Sequence, residues 1–244
     1  MATSNPKYVE IVKNDFHVLS KSYDLINNFM SLGTDRQFRY IAIKNLIVEP
    51  NQSSEFNFWL DIGTGTGHLA NELYRQKEGS FVVGLDISAS MIQYSKDRDI
   101  YSDGCMSLIL ADSQKTPFRS KSFDGAMSGF VGRHFNDYPV TLGDHHRILR
   151  KEGRYAMLEM GRNATRLSFL IDVYVGKMMS LLGKVASFII TKGNAPFRLL
   201  ENTYNVFYSP SQLQKMFTNV GFKSWYKLGL LGSIVIVFGK KKMN

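Results

Sequence analysis

The sequence predicts an α/β fold with a seven-stranded, mostly parallel sheet. Strands alternate with helical stretches through the middle of the chain, a glycine-rich turn follows the first strand, and acidic residues end the first three strands. Such alternation is typical of a parallel sheet with helices on both faces. Ligands of these sheets bind outside the carboxyl ends of the strands, at the switch point. We therefore expect the turn and the acids to line one crevice.

The first strand, from Phe58, leads into a turn in which Gly63, Gly65 and Gly67 stand at every second position. Glycine lets the backbone approach a ligand that a Cβ would exclude. The helix predicted to begin near Thr66 offers unpaired backbone N–H groups to a polar ligand. A dinucleotide-binding fingerprint would place its third glycine at position 68, where this chain has His68. A tight structural turn is the alternative for the motif alone.

Further strands are predicted at Phe81–Asp86, Leu108–Asp112, Ser122–Ser128 and Arg154–Met160. Asp86 lies 19 residues after Gly67 (86 minus 67), a spacing that suits a carboxylate binding two ribose hydroxyls. Asp112, beside an adenine pocket, would accept a hydrogen bond from the exocyclic amine. Any one of these acids taken alone is equally well explained as a helix N-cap.

The remaining elements follow from apolar periodicity. Helices are predicted within 7–49, with the clearest pattern at 35–47 ended by Pro50, and at 67–77, 88–101, 138–150 and 211–220. The last two strands are predicted at Phe222–Leu228 and Ser233–Phe238, joined by a turn at Gly229–Gly232. These two strands predict an antiparallel hairpin at the end of the chain.

Length and composition are those of one globular domain: 244 residues, 44% hydrophobic and 21% charged. A single cysteine, Cys105, excludes an internal disulfide framework and a cysteine-based zinc site. Residues 1–7 hold no apolar signal core, which predicts an intracellular, cytoplasmic protein. The net charge of +9 favours an anionic partner such as a membrane surface or nucleic acid, with a solubilising surface as the alternative.

An apolar stretch interrupts the α/β pattern after the fifth strand. It begins at residue 164, and between positions 161 and 200 it carries one acid, Asp172, and six basic residues: Arg162, Arg166, Lys177, Lys184, Lys192 and Arg198. The charges leave no window of about 18 uncharged residues, which argues against a membrane-spanning helix. An apolar, basic helix at this place predicts a lid that covers an apolar substrate or touches lipid. A core helix of the domain is the alternative.

Several stretches together match one enzyme family. The spacing from Asp61 to Gly67 resembles the first motif of the class I S-adenosylmethionine (SAM) methyltransferases. The other matching stretches are Phe16–Asn27, Met30–Gly33, Val83–Ser88 with Met91, Ala111–Asp112 with Pro117–Phe118, Ser122–Asp124, Arg133–His134, Leu158–Met160, Tyr174 with Gly183, and Phe197–Leu200. With these residues the chain resembles the UbiE/MenG/COQ5 quinone C-methyltransferases over most of its length.

The resemblance implies a Rossmann-like class I methyltransferase of one domain over residues 1–244, with N-terminal helices at 7–49 and a lid insertion at 164–205. It implies SAM as cofactor, S-adenosylhomocysteine as product, no metal, and methylation of a ring carbon of a polyprenylated hydroquinone. The expected partners are the lipophilic quinol and, peripherally, an anionic membrane at the inner face, with a homodimer left open and no nucleic acid expected.

The resemblance and the residue patterns together nominate a site. The residues expected to bind SAM are Tyr23, Asp61, Gly63, Thr64, Gly65, Gly67, Asp86, Ile87, Met91, Asp112, Ser113 and Ser128. Those expected to serve the chemical step are His134, Arg133 and Tyr174. His134 is the first candidate for the base that takes the phenol proton, because histidine titrates near neutral pH. Arg133 would stabilise the developing phenolate, and a structural role is the alternative for His134.

The chain also departs from the family pattern, with His134 in place of an Asn, no lid proline near Ser180, Phe197 in place of a Tyr, and Asn202 in place of a Glu. These departures leave three readings: a quinone C-methyltransferase, a SAM enzyme with another substrate, and a non-catalytic SAM- or partner-binding module. Against a nucleic-acid methyltransferase, no Asn-Pro-Pro-Tyr-type motif follows the fourth strand.

Overall fold

The computed structural model describes residues 33–47, 57–96, 104–161, 208–229, 232 and 234–243. These residues form five α-helices, one short 3-10 helix and seven strands, which we number in chain order. They are α1 (Asp35–Leu46), β1 (Asn57–Ile62), α2 (His68–Gln76), β2 (Ser80–Asp86), α3 (Ala89–Lys96), β3 (Met106–Leu110), β4 (Phe123–Gly129), the 3-10 helix (Gly132–His134), α4 (Tyr138–Ile148), β5 (Leu149–Met160), α5 (Pro210–Asn219), β6 (Phe222–Gly229) and β7 (Ile234–Lys241).

All seven strands belong to one sheet with the order β3-β2-β1-β4-β5-β7-β6. The first five strands are mutually parallel. β7 lies antiparallel between β5 and β6. Strand order reverses between β1 and its neighbour β4, so the segments that follow these two strands meet at the switch point. The seven-stranded, mostly parallel sheet predicted from the sequence is confirmed.

Side chains alternate between two hydrophobic layers along the central strands. On β5, Tyr155 and Met157 lie in one layer with residues of α4 and α5. Ala156 and Leu158 lie in the other, with residues of α1 and α2. This two-residue period is what a strand buried on both faces produces. The sheet is therefore fixed between helices on both sides, which makes its carboxyl edge a rigid support for the loops that leave it.

The predicted bounds agree closely for most elements, and those of three strands differ. β7 extends to Lys241, three residues beyond the predicted end at Phe238. β3 ends at Leu110, so Asp112 stands two residues beyond the strand. β5 begins at Leu149, directly after α4, whereas the pattern predicted a strand from Arg154. The early start arises because Leu149 pairs with Phe123, after which the register of β4 with β5 shifts.

Helix α5 begins where its sequence requires. Ser209 caps the helix, its side chain accepting from Gln212 N while the Gln212 side chain accepts from Ser209 N. Such a reciprocal capping box satisfies two backbone donors at the helix start, and Pro210 at the first position has no N–H to satisfy. Within the ranges given above, no helix is long and apolar enough to cross a membrane. The helices predicted before residue 33 and the lid predicted at 164–205 lie outside the described residues. The prediction of one domain over residues 1–244 includes these segments and stays a prediction.

The sheet interior predicts a stability difference between two glycines. A Cβ at Gly125 on β4 would overlap the Trp59 ring, lying 2.6 Å from Cε3, and Trp59 is only 3% exposed. A Cβ at Gly143 in α4 would meet no atom within 4 Å. We expect Gly125→Ala to lower the free energy of unfolding by about 1–3 kcal/mol. Gly143→Ala should raise it by about 0.5–1 kcal/mol. Urea unfolding of the two variants measures both values, and equal stabilities would show that Trp59 yields without cost.

Candidate active site at the switch point

Two loops meet at the carboxyl end of the sheet, one after β1 and one after β4. Gly63 has φ +66°, and a Cβ there would lie 2.6 Å from Val131 Cγ2. Gly63 is therefore required twice, by its left-handed backbone and by the Val131 side chain packed on it. The contact places the 3-10 helix of Arg133 and His134 near the glycine-rich turn, at the switch point of the sheet.

The glycine-rich turn is open where a ligand would approach. Gly65 has φ +53°, and a Cβ there would meet nothing nearer than Gly63 O at 4.0 Å. Gly67, with φ +79°, is the N-cap of α2. Thr64 anchors the turn to the sheet, its N–H donating to Leu85 O at 2.9 Å. The turn thus leaves a cradle above Gly65 and presents the first N–H groups of α2 near it.

Asp61, near the end of β1, is the most buried acid of the turn at 1% exposed. Its Oδ2 accepts from Thr64 Oγ1 at 2.8 Å and from Ala70 N at 3.2 Å. Among the described residues, Asp61 Oδ1 has no hydrogen-bond partner. Burial raises the pKa of Asp61 to about 7. A buried carboxylate oxygen without a partner is costly, so this atom is suited to a donor that a ligand supplies.

Asp86, the last residue of β2, ties the turn to the next strand. Its Oδ2 accepts from Gly65 N at 2.8 Å, and its Oδ1 accepts from Ser88 N at 2.9 Å. Burial raises the pKa of Asp86, while the backbone N–H groups of Ser88, Gly65 and Ile87 oppose that shift. A carboxylate has about four lone-pair sites, so Asp86 can hold the turn and still accept from a ribose hydroxyl. Beyond it, Ile87 is half-buried and Met91 is buried.

Asp112 lies in a loop that α4 holds in place. Asp112 Oδ1 accepts from Gln114 N at 2.9 Å, and this hydrogen bond closes a short turn. His145 Nε2 lies 2.8 Å from Ser113 O. Asp144 accepts from Thr116 N and from Thr116 Oγ1. His145 is fully buried and lies edge-on to Phe135 and Tyr155. The loop that follows β3 therefore depends on α4 for its position.

Arg133 and His134 form most of the 3-10 helix after β4. Arg133 Nε donates to His134 Nε2 at 3.1 Å. Burial, and secondly the Arg133 guanidinium, lower the pKa of His134 to about 3. The imidazole is therefore neutral at neutral pH, and its Nε2 lone pair is already engaged by Arg133. Both features weigh against His134 as a base tuned to neutral pH and favour a role in orienting Arg133.

Three polar residues beneath this helix were not among the residues nominated from the sequence. Glu159, at the end of β5, is 2% exposed and its Oε1 accepts from Gly132 N at 2.5 Å. Tyr138 interacts electrostatically with Glu159. Tyr155 Oη lies 2.9 Å from Oγ of the nominated Ser128, which is fully buried. Glu159 continues the series of strand-end acids begun by Asp61 and Asp86, and that series is the signal that would have found it.

Two nominated residues, Tyr23 and Tyr174, lie outside the described residues, and so does the lid. Within the part of the chain that the structure describes, no group of three or more His, Cys, Asp or Glu side chains is arranged to hold a metal ion. The open cradle at Gly65 and the unpartnered oxygen of Asp61 fit an adenosyl cofactor with a cationic end.

Comparison with known proteins agrees with this geometry. The family model for ubiE/COQ5 methyltransferases matches residues 1–241. The ubiquinone/menaquinone biosynthesis C-methyltransferase UbiE of Citrifermentans bemidjiense is 31% identical over 232 residues, covering 94% of this chain and 95% of its own. Demethylmenaquinone methyltransferase of Thermus thermophilus is 29% identical over 228 residues, covering 93% of this chain and 99% of its own.

A solved SAM-dependent methyltransferase from Thermotoga maritima has the same fold, with a TM-score of 0.60 at 18% identity, covering 93% of this chain and 100% of that one. The fold match confirms the class I architecture predicted from the sequence, and the sequence matches confirm the resemblance carried by its motifs. The chain belongs to the ubiE/COQ5 methyltransferase family and is a SAM-dependent methyltransferase.

Proposed function

We propose that this methyltransferase transfers the SAM methyl group to a ring carbon of a polyprenylated hydroquinone. The observation that supports the proposal is the contact of Val131 with Gly63, which brings the Arg133 loop next to the glycine-rich turn in a member of this family. The names of its relatives, ubiquinone/menaquinone C-methyltransferase and demethylmenaquinone methyltransferase, supply the substrate class. Quinone profiling by mass spectrometry in a strain without this protein tests it, because an unmethylated quinone should accumulate there.

We assign cofactor binding to the turn and the strand ends. Gly65 leaves room for the cofactor, Asp86 offers lone pairs to the ribose, and Asp112 faces the adenine side. Asp61 Oδ1 would accept from the amino group of the methionine moiety, and an ionised Asp61 would favour that cation. The set proposed from described residues is completed by Gly63, Thr64, Gly67, Ile87, Met91, Ser113 and Ser128. Tyr23 stays a prediction.

The chemical step needs a nucleophilic carbon and an in-line methyl group. Bound SAM supplies an electrophilic methyl group on a sulfonium. A ring carbon becomes nucleophilic when the adjacent hydroxyl gives its proton to a solvent water molecule, and the positive charge of Arg133 would stabilise the phenolate. After the carbon has accepted the methyl group, with S-adenosylhomocysteine as the leaving group, its hydrogen leaves as a proton to water and the ring becomes aromatic again. His134 would hold the guanidinium through the hydrogen bond to Nε2. The protein then contributes mainly by positioning the two reactants and excluding water.

The cofactor assignment predicts different behaviour for two glycines with the same backbone strain. Gly65 and Gly79 both have positive φ, and neither has a described atom closer than 4 Å to a Cβ. Gly65→Val should lower SAM affinity by about tenfold or more, because the added methyls would occupy the cradle. Gly79→Val, in the turn after α2, should leave the affinity within about twofold. Calorimetry with SAM measures both, and preferential binding of a nicotinamide dinucleotide would contradict the assignment.

The orienting role predicts that an amide can replace His134. His134→Asn keeps a hydrogen-bond acceptor for Arg133 but cannot take up a proton, so turnover should stay within about fivefold. His134→Ala should lose more than about tenfold, with SAM affinity within about twofold. Steady-state kinetics at saturating SAM separate the two variants. Equal losses of about 10²–10⁴-fold in both would instead identify His134 as a general base.

We also propose that residues 164–205 form a lid that admits the isoprenoid tail from a membrane surface. The support is the sequence: an apolar helix pattern with six basic residues against one acid between positions 161 and 200. A long isoprenoid is too insoluble to cross water, and a lid that docks on lipid would give it a dry route.

The lid proposal predicts salt-sensitive binding to anionic vesicles. Each lysine near such a surface contributes about 1 kcal/mol, screened by salt. Lys177→Glu with Lys184→Glu should therefore weaken co-sedimentation and turnover of long-tailed quinols, while a short-tailed analogue is still methylated. Lys151→Glu with Lys215→Glu, at two exposed positions outside residues 164–205, makes the same charge change and is the matched control. Unchanged binding and tail preference in the lid variant would leave the segment an ordinary core helix.

A further inference from the structure

The 3-10 helix that carries Arg133 rests on one buried carboxylate. Glu159 Oε1 accepts from Gly132 N at 2.5 Å, and the carboxylate also accepts from the backbone N–H of Val131. Consecutive N–H groups aimed at one carboxylate form an anion-binding concavity. Glu159 therefore fixes the backbone of the two residues that precede Arg133.

The packing around Gly132 leaves no room for a side chain at this position. A Cβ at position 132 would lie 2.9 Å from Glu159 Oε1 and 3.1 Å from Met157 Cε, and would overlap the Tyr138 hydroxyl. Glycine lets the backbone lie directly on the carboxylate and the phenol. The 3-10 helix thus packs on two polar side chains, Glu159 of β5 and Tyr138 of α4.

The segment held by Glu159 also contacts the glycine-rich turn. Val131, whose N–H donates to Glu159, packs its side chain on Gly63 of the glycine-rich turn. A chain of direct contacts therefore runs from Glu159 through Val131 to Gly63, and through Gly132 to Arg133. We propose that Glu159 is a positioning residue for methyl transfer, whose carboxylate holds the Val131–Arg133 segment so that Arg133 faces the acceptor beside the cofactor turn. This inference rests on the proposed function of Arg133.

The charged and titratable groups around Glu159 are few within the described residues. Arg133 stands on the 3-10 helix, Tyr138 on α4 and Tyr155 on β5, and Tyr208, which precedes α5, interacts with Tyr138. Burial raises the pKa of Glu159 to about 7, while the backbone donors and the Arg133 charge oppose the shift. Loss of a proton near neutral pH therefore turns the carboxyl group into a full acceptor for both N–H groups.

Stability should respond in the opposite direction from activity. The pKa of Glu159 is higher in the folded protein than the ordinary 4.5, so between these values the folded state binds more protons than the unfolded state. Stability then falls as pH rises through this range. Above pH 7 the ionised Glu159 lowers the stability of the fold, which favours a functional role over a stabilising one. Replacing it with a neutral residue should therefore not destabilise the protein above pH 7.

The experiment compares Glu159→Gln with Asp124→Asn in the full-length protein. Asp124 is also a buried strand carboxylate that accepts a backbone N–H, from Phe58, and faces Arg150, but it lies at the opposite end of the sheet. At pH 8 and saturating SAM, Glu159→Gln should lower kcat on a short-tailed demethylmenaquinol by about 10²-fold, as expected for a misplaced catalytic group. Its SAM affinity should stay within threefold or so, and its stability should be no lower than that of wild type.

The pH profile supplies a second readout. Wild-type kcat should fall as pH drops through about 7, and this acid limb should be absent from Glu159→Gln and present in Asp124→Asn. Saturating SAM removes any contribution of Asp61 to cofactor binding. Unaltered kcat in Glu159→Gln overturns the proposal. So does a parallel loss of kcat and stability, or a loss confined to SAM affinity.

A third readout does not depend on turnover. The amide signal of Gly132 in ¹H–¹⁵N NMR spectra should shift with a midpoint near pH 7 in wild type and should not titrate in Glu159→Gln. An amide that does not titrate in wild type overturns the inference about Glu159. A wild-type protein whose Gly132 amide titrates but which methylates no quinol overturns the proposed function instead, so the two failures are distinguishable.

Discussion

The loops of the active site are held by carboxylates that accept backbone N–H groups. Asp86 holds Gly65, Asp61 holds the start of α2, Asp144 holds Thr116, and Glu159 holds Gly132. Each acid stands on, or at the end of, a strand or helix that the core fixes. The N–H groups belong to the glycine-rich turn, to the first turn of α2, to the loop at Thr116 and to the 3-10 helix. Charged acceptors make hydrogen bonds roughly twice as strong as neutral ones. These bonds fix the segments that follow the strands relative to the rigid sheet.

This construction carries an electrostatic cost that differs between the two ends of the sheet. At the amino end, Asp124 has the guanidinium of Arg150 at 2.7 Å as a partner. At the carboxyl end, burial raises the pKa values of Asp61 and Glu159 to about 7, and neither forms a direct ion pair among the described residues. Acids poised between two protonation states cluster at functional sites because catalysis and ligand binding make use of them. The carboxyl edge of the sheet therefore holds acids with raised pKa values, whereas Asp124 at the amino edge is paired with an arginine.

Much of this arrangement follows from local sequence, and the rest depends on contacts between distant segments. Hydrophobic alternation and the glycine spacing were enough to predict the strands and the glycine-rich turn that begins after Asp61. The insertion of β7 between β5 and β6, the seat of Val131 on Gly63 and the burial of His145 join residues far apart in the chain. No periodicity encodes such pairs. Glu159 was within reach, since it ends a strand as Asp86 does, but it follows no glycine-rich turn, and so the sequence pattern did not single it out.

The histidine at position 134 departs from the family pattern, but its environment lets it make the hydrogen bond that the family residue could make. The family residue at this place, by the resemblance, is an asparagine, whose side-chain oxygen accepts a hydrogen bond and does not titrate. Burial and the Arg133 charge keep His134 neutral, and its Nε2 accepts from Arg133 Nε. A neutral imidazole therefore offers Arg133 the same kind of acceptor as an amide would. The environment removes the property that distinguishes histidine, its titration near neutral pH, and retains the property that the two residues share. A group in this region with a pKa near neutral is instead Glu159. Its carboxylate accepts from the backbone N–H of Gly132, directly before Arg133 and His134.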